Sequence, residues 1–477
     1  MNIPLRRVAL VCAVMMFLLL GNVTFIQAFR APALNADPRN QRTLIARFDH
    51  PRGKILTSDG TVIAGSRKTR NAGYTYRRTY PEGNLYAAVT GYASLYTTTG
   101  LERAEDARLS GGDPKVRLRA LVRDGIAQGA DVRTTIDERA QRAAYEGLAA
   151  TGGRGAAVAL NPATGAILAL VSYPSYDPGR YTTFDSGKLA RADRELRGDP
   201  GQPLLNRALN QTYPPGSTFK VVTTAAGLTS GRYTPDSQVE APPRLLLPGT
   251  STQLGNSGGE SCGDGHPPLA YAFQASCNTA FVAMGLDLGQ DVLRRQAAAF
   301  GFDGAGLRVP MPVSPSVYPS GMDQAQTAMS AIGQFDVRAT PLQVAMLSAA
   351  VANDGALMAP YLVEEVRLPD GAVVERAEPS RWRAAMSAQD ANDLTTMMIT
   401  VTRPGGTGTA AAIPGVEVAA KTGTAENVQG AQDHALFTGF APADDPQVAV
   451  GVVVERAGFG GDVAAPIARH IMEAVLD

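Results

Sequence analysis

Histidine is scarce in this chain, with four in 477 residues. They stand at 50, 266, 434 and 470, and no two have the spacing of a metal-ligand pair. His434 precedes an apolar run and reads as a residue that caps or packs at a strand start. Excess charge is missing as well, since 44 Lys and Arg balance 44 Asp and Glu. That removes the basic bias that marks a nucleic-acid partner, and none is expected. The chain has no glycine-rich phosphate loop of the Walker type. It has no internal repeat and no low-complexity tract. No metal and no cofactor is expected. Cysteine is limited to three residues.

The longest apolar run lies at the start. Arg6 and Arg7 precede an uncharged stretch from Val8 to Ala28. About 20 apolar residues suffice for a helix to cross a bilayer, whereas cleaved signal cores are shorter. The stretch is read as an uncleaved anchor; polar Asn22, Thr24 and Gln27 leave a cleaved signal as the alternative. Arginines on the short leading side stay cytoplasmic and place the rest outside. Cys12 falls in this span, so Cys262 and Cys277 are the two cysteines of the exported part. An oxidising compartment permits a disulfide between them, with two free thiols as the alternative. A length of 477 residues suits two or three domains. The expected division is 1–29 for the cytoplasmic tip and anchor, 30–150 for a linker and a small α+β module, and 151–477 for the main domain.

Within the first module the turn Ser58-Asp59-Gly60 stands out, and Asp137 to Ala149 has helical spacing that closes it. In the main domain, Ala156–Asn161 and Ala166–Ser172 flank Pro162-Ala163-Thr164-Gly165, the pattern of a β-hairpin. Helices are expected over Ser217–Thr229, Leu269–Leu288 and Asp291–Phe300. Thr340-Pro341 opens another, with a threonine cap and proline at the first helical position, running to Ala352. Strands are expected at Val416–Ala420, Ala435–Phe440 and Val448–Val454, and a closing helix at Ala465–Val475. Early strands, a helical middle, late strands and a last helix describe an antiparallel sheet with helices packed on it.

Three short clusters carry chemistry. A serine needs an adjacent base to act as a nucleophile. Ser217-Thr218-Phe219-Lys220 supplies one, because residues i and i+3 share a helix face. A desolvated lysine, or one near another cation, loses its proton readily. Pro214-Pro215-Gly216 would place Ser217 at a helix N-terminus, where developing negative charge is favoured. No Gly-x-Ser-x-Gly surrounds Ser217, which counts against an α/β-hydrolase. About two Ser-x-x-Lys spacings are expected by chance in such a chain, and most are solvated helix surface. The second cluster is Ser276-Cys277-Asn278, offering a hydroxyl to relay a proton and an amide to bind substrate; its plainer reading is a cap or turn. The third is Lys421-Thr422-Gly423-Thr424. Its lysine and threonines suit a substrate carboxylate, and Gly423 would let a substrate backbone come close. Lys-Thr-Gly is expected about a tenth of a time by chance. The three in this order are much less expected by accident than any one.

Together these clusters resemble the motifs of penicillin-binding proteins and serine β-lactamases. The likeness extends to Asn206-Arg207-Ala208, Tyr213 to Gly216, Ile332-Gly333-Gln334, Ala339-Thr340-Pro341, His434 to Pro442 and Ala464-Ala465-Pro466, which resemble class B penicillin-binding proteins. Gly100-Leu101-Glu102-Arg103-Ala104-Glu105-Asp106 is most similar to the actinobacterial penicillin-binding protein A group. Two places depart from the pattern: Thr57-Ser58-Asp59-Gly60 stands where many members carry Asp-Arg-Asn-Gly, and Phe335 where glycine is usual. The resemblance implies an α+β transpeptidase fold, preceded by a small non-catalytic dimerisation or pedestal-like domain and one transmembrane helix. It implies that Ser217 attacks the D-Ala-D-Ala bond of peptidoglycan stem peptides with Lys220 as base. Ser276 would relay the proton to the leaving D-alanine, supported by Lys421. The N–H groups of Ser217 and Thr424 would form the oxyanion hole. Thr422 and Thr424 would hold the substrate carboxylate beside Gly423, and Asn278 would hold its amide. β-Lactams would acylate Ser217, and cell-wall assembly proteins are the expected partners. A D,D-carboxypeptidase, a β-lactamase-type hydrolase and a non-catalytic cell-wall scaffold are the competing readings.

Overall fold

The structure, a computed structural model, describes residues 3–30, 47–71, 73–116, 128–259, 261–304, 307, 309–425 and 432–477. Helix α1 (Ile3–Phe25) continues as a π-helical stretch to Arg30 and is exposed throughout. Its most apolar 18-residue window has a mean hydropathy of 2.4, and the 28 residues are long and apolar enough to cross a membrane.

The first folded region contains β1 (Ile55–Leu56), β2 (Val62–Asn71), β3 (Tyr74–Thr79), α2 (Gly83–Thr90) and β4 (Asp131–Thr134). The turn between β1 and β2 is the one expected. The Asp59 carboxylate accepts the Thr61 N–H, and Gly60 takes the φ of +94° that glycine tolerates best. The segment 100–106 has a structural role here. Glu102 is fully buried and accepts hydrogen bonds from Arg52, Arg78 and Tyr80. Burial pushes its carboxyl up, but Arg78 and Arg52 overcome this and hold it below the usual range. Arg52 also pairs with Asp106.

This region does not close its sheet alone. β4 lies parallel to β1 and antiparallel to Val363–Arg367, which pairs in turn with Val373–Arg376. A hairpin from far along the chain thus completes a six-stranded sheet. These short, half-charged strands carry no alternating apolar pattern that would predict them.

The second region begins with α3 (Glu138–Ala150), capped by the Asp137 carboxylate, which accepts the N–H of Arg139 and Ala140. Then come the hairpin β5 (Arg154–Leu160) and β6 (Ile167–Tyr173), α4 (Lys220–Thr229), α5 (Leu269–Gln274), α6 (Asn278–Leu288), α7 (Pro341–Ala352) and α8 (Ala388–Thr400). Strands β7 (Ala419–Ala425), β8 (His434–Ala441) and β9 (Val448–Glu455) precede the last helix, α9 (Gly460–Leu476). The antiparallel sheet has the order β7-β8-β9-β5-β6. Side chains alternate across it, as strand geometry requires. Ala157, Ala159, Phe437 and Val452 face α3 and α9, while Val158, Leu436 and Val453 face the helical core. α3 packs on this sheet rather than closing the first module, where its spacing had placed it. α7, apolar on all sides, is buried from Pro341 to Val351 against the opposite face, with Thr340 capping it as expected.

Two expectations need correction. The single helix expected over Leu269–Leu288 is two helices, broken at Ala275–Cys277, where Ser276 has φ +57°. The strand expected over Val416–Ala420 starts at Ala419 and runs through the Lys-Thr-Gly cluster to Ala425.

Candidate active site

Ser217 sits in a 3-10 turn (Gly216–Phe219) that leads directly into α4. The segment before it is anchored by polar contacts with little exposure. The Arg207 guanidinium is buried and donates to Glu455, and so does the Tyr213 hydroxyl. Tyr213 and Ala339 exchange backbone hydrogen bonds in both directions. The Gly216 N–H donates to the Gly333 carbonyl at 3.1 Å. Gly216 has φ +52°, and a Cβ there would lie 2.6 Å from the Thr424 carbonyl oxygen. Gly333 has φ +70°, and its Cβ would lie 2.3 Å from the Gly216 oxygen. These contacts give the motifs around residues 207, 213, 333 and 339 a structural part: Arg207 and Tyr213 tie the segment before Ser217 to Glu455 on β9, and Ala339 and Gly333 hydrogen-bond to its backbone. Two residues after Gly333, Phe335 takes φ +61°, a conformation that glycine adopts without strain.

Lys220 is completely buried one turn after Ser217. Its Nζ donates to the Ser276 carbonyl at 2.7 Å and to Asn278 Oδ1 at 2.8 Å, and lies 3.3 Å from Ser276 Oγ. Lys421, equally buried, donates to the same Ser276 Oγ at 2.8 Å and to the Thr422 carbonyl at 3.1 Å. One serine hydroxyl therefore stands between two buried amines. No carboxylate pairs with either amine among the described residues. Instead the Phe281 ring lies 5.2 Å from Lys220 Nζ and the Phe273 ring 5.6 Å from Lys421 Nζ. Burial pushes Lys220 well below the usual lysine range, and the charge of Lys421 lowers it further. Burial alone pushes Lys421 down to about 7. A neutral amine beside a serine is the condition for base chemistry at neutral pH.

Lys220, Ser276, Asn278 and Lys421 thus meet from three separate parts of the chain. The half-buried Ser217 hydroxyl has no hydrogen-bond partner among the described residues, although its place one turn before Lys220 is the expected one. Asn278 also donates to the Gly255 carbonyl. The bond from Cys277 to Cys262 is a disulfide, so the turn carrying Ser276 is tied covalently to the 261–265 loop.

Gly423 also has a packing reason. A Cβ there would meet Thr218 Cγ2 at 2.8 Å and Leu436 Cβ at 3.0 Å, so the glycine lets β7 lie against the Ser217 turn. Thr424 is half-exposed on this edge strand, but Thr422 is buried and its hydroxyl shares a 2.6 Å hydrogen bond with that of Thr407. Thr407 was not singled out, and its setting in Pro404-Gly405-Gly406-Thr407-Gly408 reads only as a turn. Asn256 was also missed: its Oδ1 accepts the Thr279 N–H just after Asn278. No sequence spacing points to it. His434 opens β8 as expected, its Nδ1 accepting the Arg456 N–H, and burial lowers its pKa. Among the described residues no group of His, Cys, Asp and Glu could hold a metal ion.

The transpeptidase domain of penicillin-binding proteins matches residues 155–473. The chain belongs to the penicillin-binding protein family. The penicillin-binding protein A dimerisation domain matches residues 52–132. The chain is 46% identical to the peptidoglycan D,D-transpeptidase PbpA of Mycolicibacterium smegmatis, over all of this chain and 99% of that one. It is 43% identical to the protein of the same name from Mycobacterium tuberculosis, at the same coverage. Among solved structures, the ceftriaxone acyl-enzyme complex of M. tuberculosis penicillin-binding protein A superposes with a TM-score of 0.87. The two chains are 42% identical, with 91% of this chain and 100% of that one covered. The D,D-transpeptidase domain of a peptidoglycan glycosyltransferase from Eggerthella lenta gives 0.79 at 33% identity, covering 90% and 98%. This penicillin-binding protein therefore shares its catalytic domain and the region before it with those relatives.

Proposed function

We infer that this penicillin-binding protein is a peptidoglycan D,D-transpeptidase working through an acyl-enzyme on Ser217, and that β-lactams inhibit it by acylating the same residue. The observation that carries the reading is the pair of buried, carboxylate-free lysines sharing the Ser276 hydroxyl, the first of them one turn after Ser217. Lys220, kept neutral, takes the Ser217 proton as Oγ attacks the carbonyl between the two terminal D-alanines. Negative charge builds on that carbonyl oxygen. The N–H groups of Ser217, at the start of the turn, and of Thr424, on the edge strand, stabilise it. The proton passes from Lys220 through Ser276 Oγ to the nitrogen of the departing D-alanine, and the C–N bond breaks. Lys421 holds Ser276 Oγ by its 2.8 Å hydrogen bond, and burial, with the charge of Lys421 adding to it, keeps Lys220 deprotonated. Thr424 takes the substrate carboxylate and Asn278 its amide, while Thr422 shapes the site through Thr407. An amine of a neighbouring stem peptide then attacks the ester, frees Ser217 and forms the cross-link.

The division of the chain follows the same reading. Residues 1–29 form a cytoplasmic tip and a single anchor, with the catalytic domain outside the membrane. Residues 30–150 hold a linker and a non-catalytic region, and 151–477 the transpeptidase domain. The apolar length of α1 and the two arginines near its start support this orientation. The test is labelling with a fluorescent penicillin. The unaltered chain acquires label and Ser217→Ala acquires none, at unchanged thermal stability. Equal labelling of the variant refutes Ser217 as the nucleophile. A stem-peptide assay with and without an amine acceptor then separates cross-linking from hydrolysis.

A further inference from the structure

The β2–β3 hairpin carries an arrangement that folding alone does not favour. Arg67 on β2 lies directly opposite Arg77 on β3. Like charges facing across a strand pair are destabilising. Lys68 and Arg70 extend the same strand, and all four line an open groove of about 950 Å³ together with Phe184 and Asp185. Among the described residues none of the four cations has an ion pair or a side-chain hydrogen bond. Asp185, the one acid of the groove, is occupied as a helix cap accepting the Lys188 N–H, and Lys188 and Arg191 surround it with further positive charge. Unpaired cations held against one another are a site for an anion.

The groove also has a fixed place along the chain. Residues 31–46 separate the end of the membrane-length helix from the fold. Sixteen residues span at most about 55 Å. The fold begins beside the groove: Phe48 packs edge-on against Tyr74 and Phe184, which stack on each other at 4.2 Å. The Phe48 carbonyl also accepts the Tyr76 N–H of β3. Half-buried aromatic rings next to cations are the combination found at membrane–water boundaries. The tether keeps this surface near the bilayer at a high effective concentration.

We propose that the groove formed by Arg67, Lys68, Arg70, Arg77 and the Phe184 cluster docks on anionic phospholipid headgroups of the membrane in which the chain is anchored, fixing the height and tilt of the catalytic domain. The proposal rests on the anchor reading above. Cations near an anionic surface each strengthen attachment by about fivefold, and salt screens them.

The experiment uses the full chain in nanodiscs of phosphatidylcholine with or without phosphatidylglycerol, read by hydrogen exchange over residues 62–79. Slower exchange, by about tenfold or more, is expected only with phosphatidylglycerol, and is lost at high salt and in Arg67→Gln/Lys68→Gln/Arg70→Gln/Arg77→Gln. That variant is expected to fold, because it removes repulsion, and to label with penicillin at the normal rate; Arg67→Gln/Arg77→Gln repeats the test with two charges removed. Equal exchange in both nanodiscs, or protection that persists in the variants, overturns the proposal. Equal protection by inorganic phosphate in neutral nanodiscs overturns it in favour of a small-anion site. Protection by soluble peptidoglycan fragments without any effect of phosphatidylglycerol overturns it in favour of a wall polymer. A chain that leaves the nanodisc refutes the anchor itself, and this inference with it.

Discussion

Replacing Lys421 by methionine should stabilise this protein at neutral pH and destabilise it in alkali. Lys421 is fully buried without a carboxylate, and its pKa falls from 10.5 to about 7. A folded-state pKa below the unfolded one means that the folded state resists the proton. The resulting penalty is absent above about pH 10.5, grows as pH falls, and levels off below about 7. At about 1.4 kcal/mol per pH unit it reaches roughly 4 kcal/mol at pH 7. Methionine has nearly the same length and no charge, so it removes this penalty. It also removes the hydrogen bonds to Ser276 Oγ and the Thr422 carbonyl, at about 1 kcal/mol each. The net expectation is a gain of about 2 kcal/mol at pH 7, no difference near pH 9, and a loss of about 1 kcal/mol at pH 10. The only tryptophan, Trp382, lies in the catalytic region and reports its unfolding. Denaturant titrations followed by Trp382 emission at several pH values measure the difference. Acylation by penicillin should collapse in the same variant. A stability difference that stays constant from pH 7 to 10, or a variant already weaker at pH 7, would refute the account of Lys421 as a residue held against its own solvation.

Three other outcomes follow from the site. The rate at which penicillin acylates Ser217 should fall as pH drops, approaching tenfold per unit once Lys220 becomes protonated; a rate that stays flat or rises on acidification sinks Lys220 as the base. Ser276→Gly and Ser276→Ala both lose the hydroxyl shared by the two lysines, and acylation should drop by about two to four orders of magnitude in each. The glycine variant relieves the backbone at φ +57° and should be the more stable of the two by about 1 kcal/mol; equal stability would show that the turn is not strained. Reducing the Cys262–Cys277 bond, or replacing both cysteines by serine, should lower stability by about 3 kcal/mol, visible in thermal unfolding with and without reductant.

Much of the site was legible because its parts are local in sequence. Ser217 and Lys220 are one turn apart, and Lys421 to Thr424 form one stretch, so residue type and spacing suffice. The Thr340-Pro341 start of α7 and the hairpin around Gly165 were legible for the same reason. The break at Ser276 was not. Leu269 to Leu288 is apolar enough to continue a helix, and a serine at positive φ leaves no trace in composition. The packing of Gly423 was not legible, because its neighbours, Thr218 and Leu436, come from elsewhere in the chain. Thr407 and Asn256 act through hydrogen bonds to partners 15 and 23 residues away. The hairpin that completes the first sheet, Val363 to Arg376, has too few apolar residues to announce a strand.

That hairpin has a consequence for how the protein is made. Chains emerge N-terminus first, and strand β4 is available about 230 residues before its partner at Val363–Arg367. Until then β4 is an open edge, able to pair with any extended segment nearby. The early region cannot reach its final form as an independent unit, because its last neighbours arrive with the late half of the enzyme. Assembly therefore ends with a long-range closure. A folding helper, or a mutation that delays residues 363–376, would act on this step before any substrate is met.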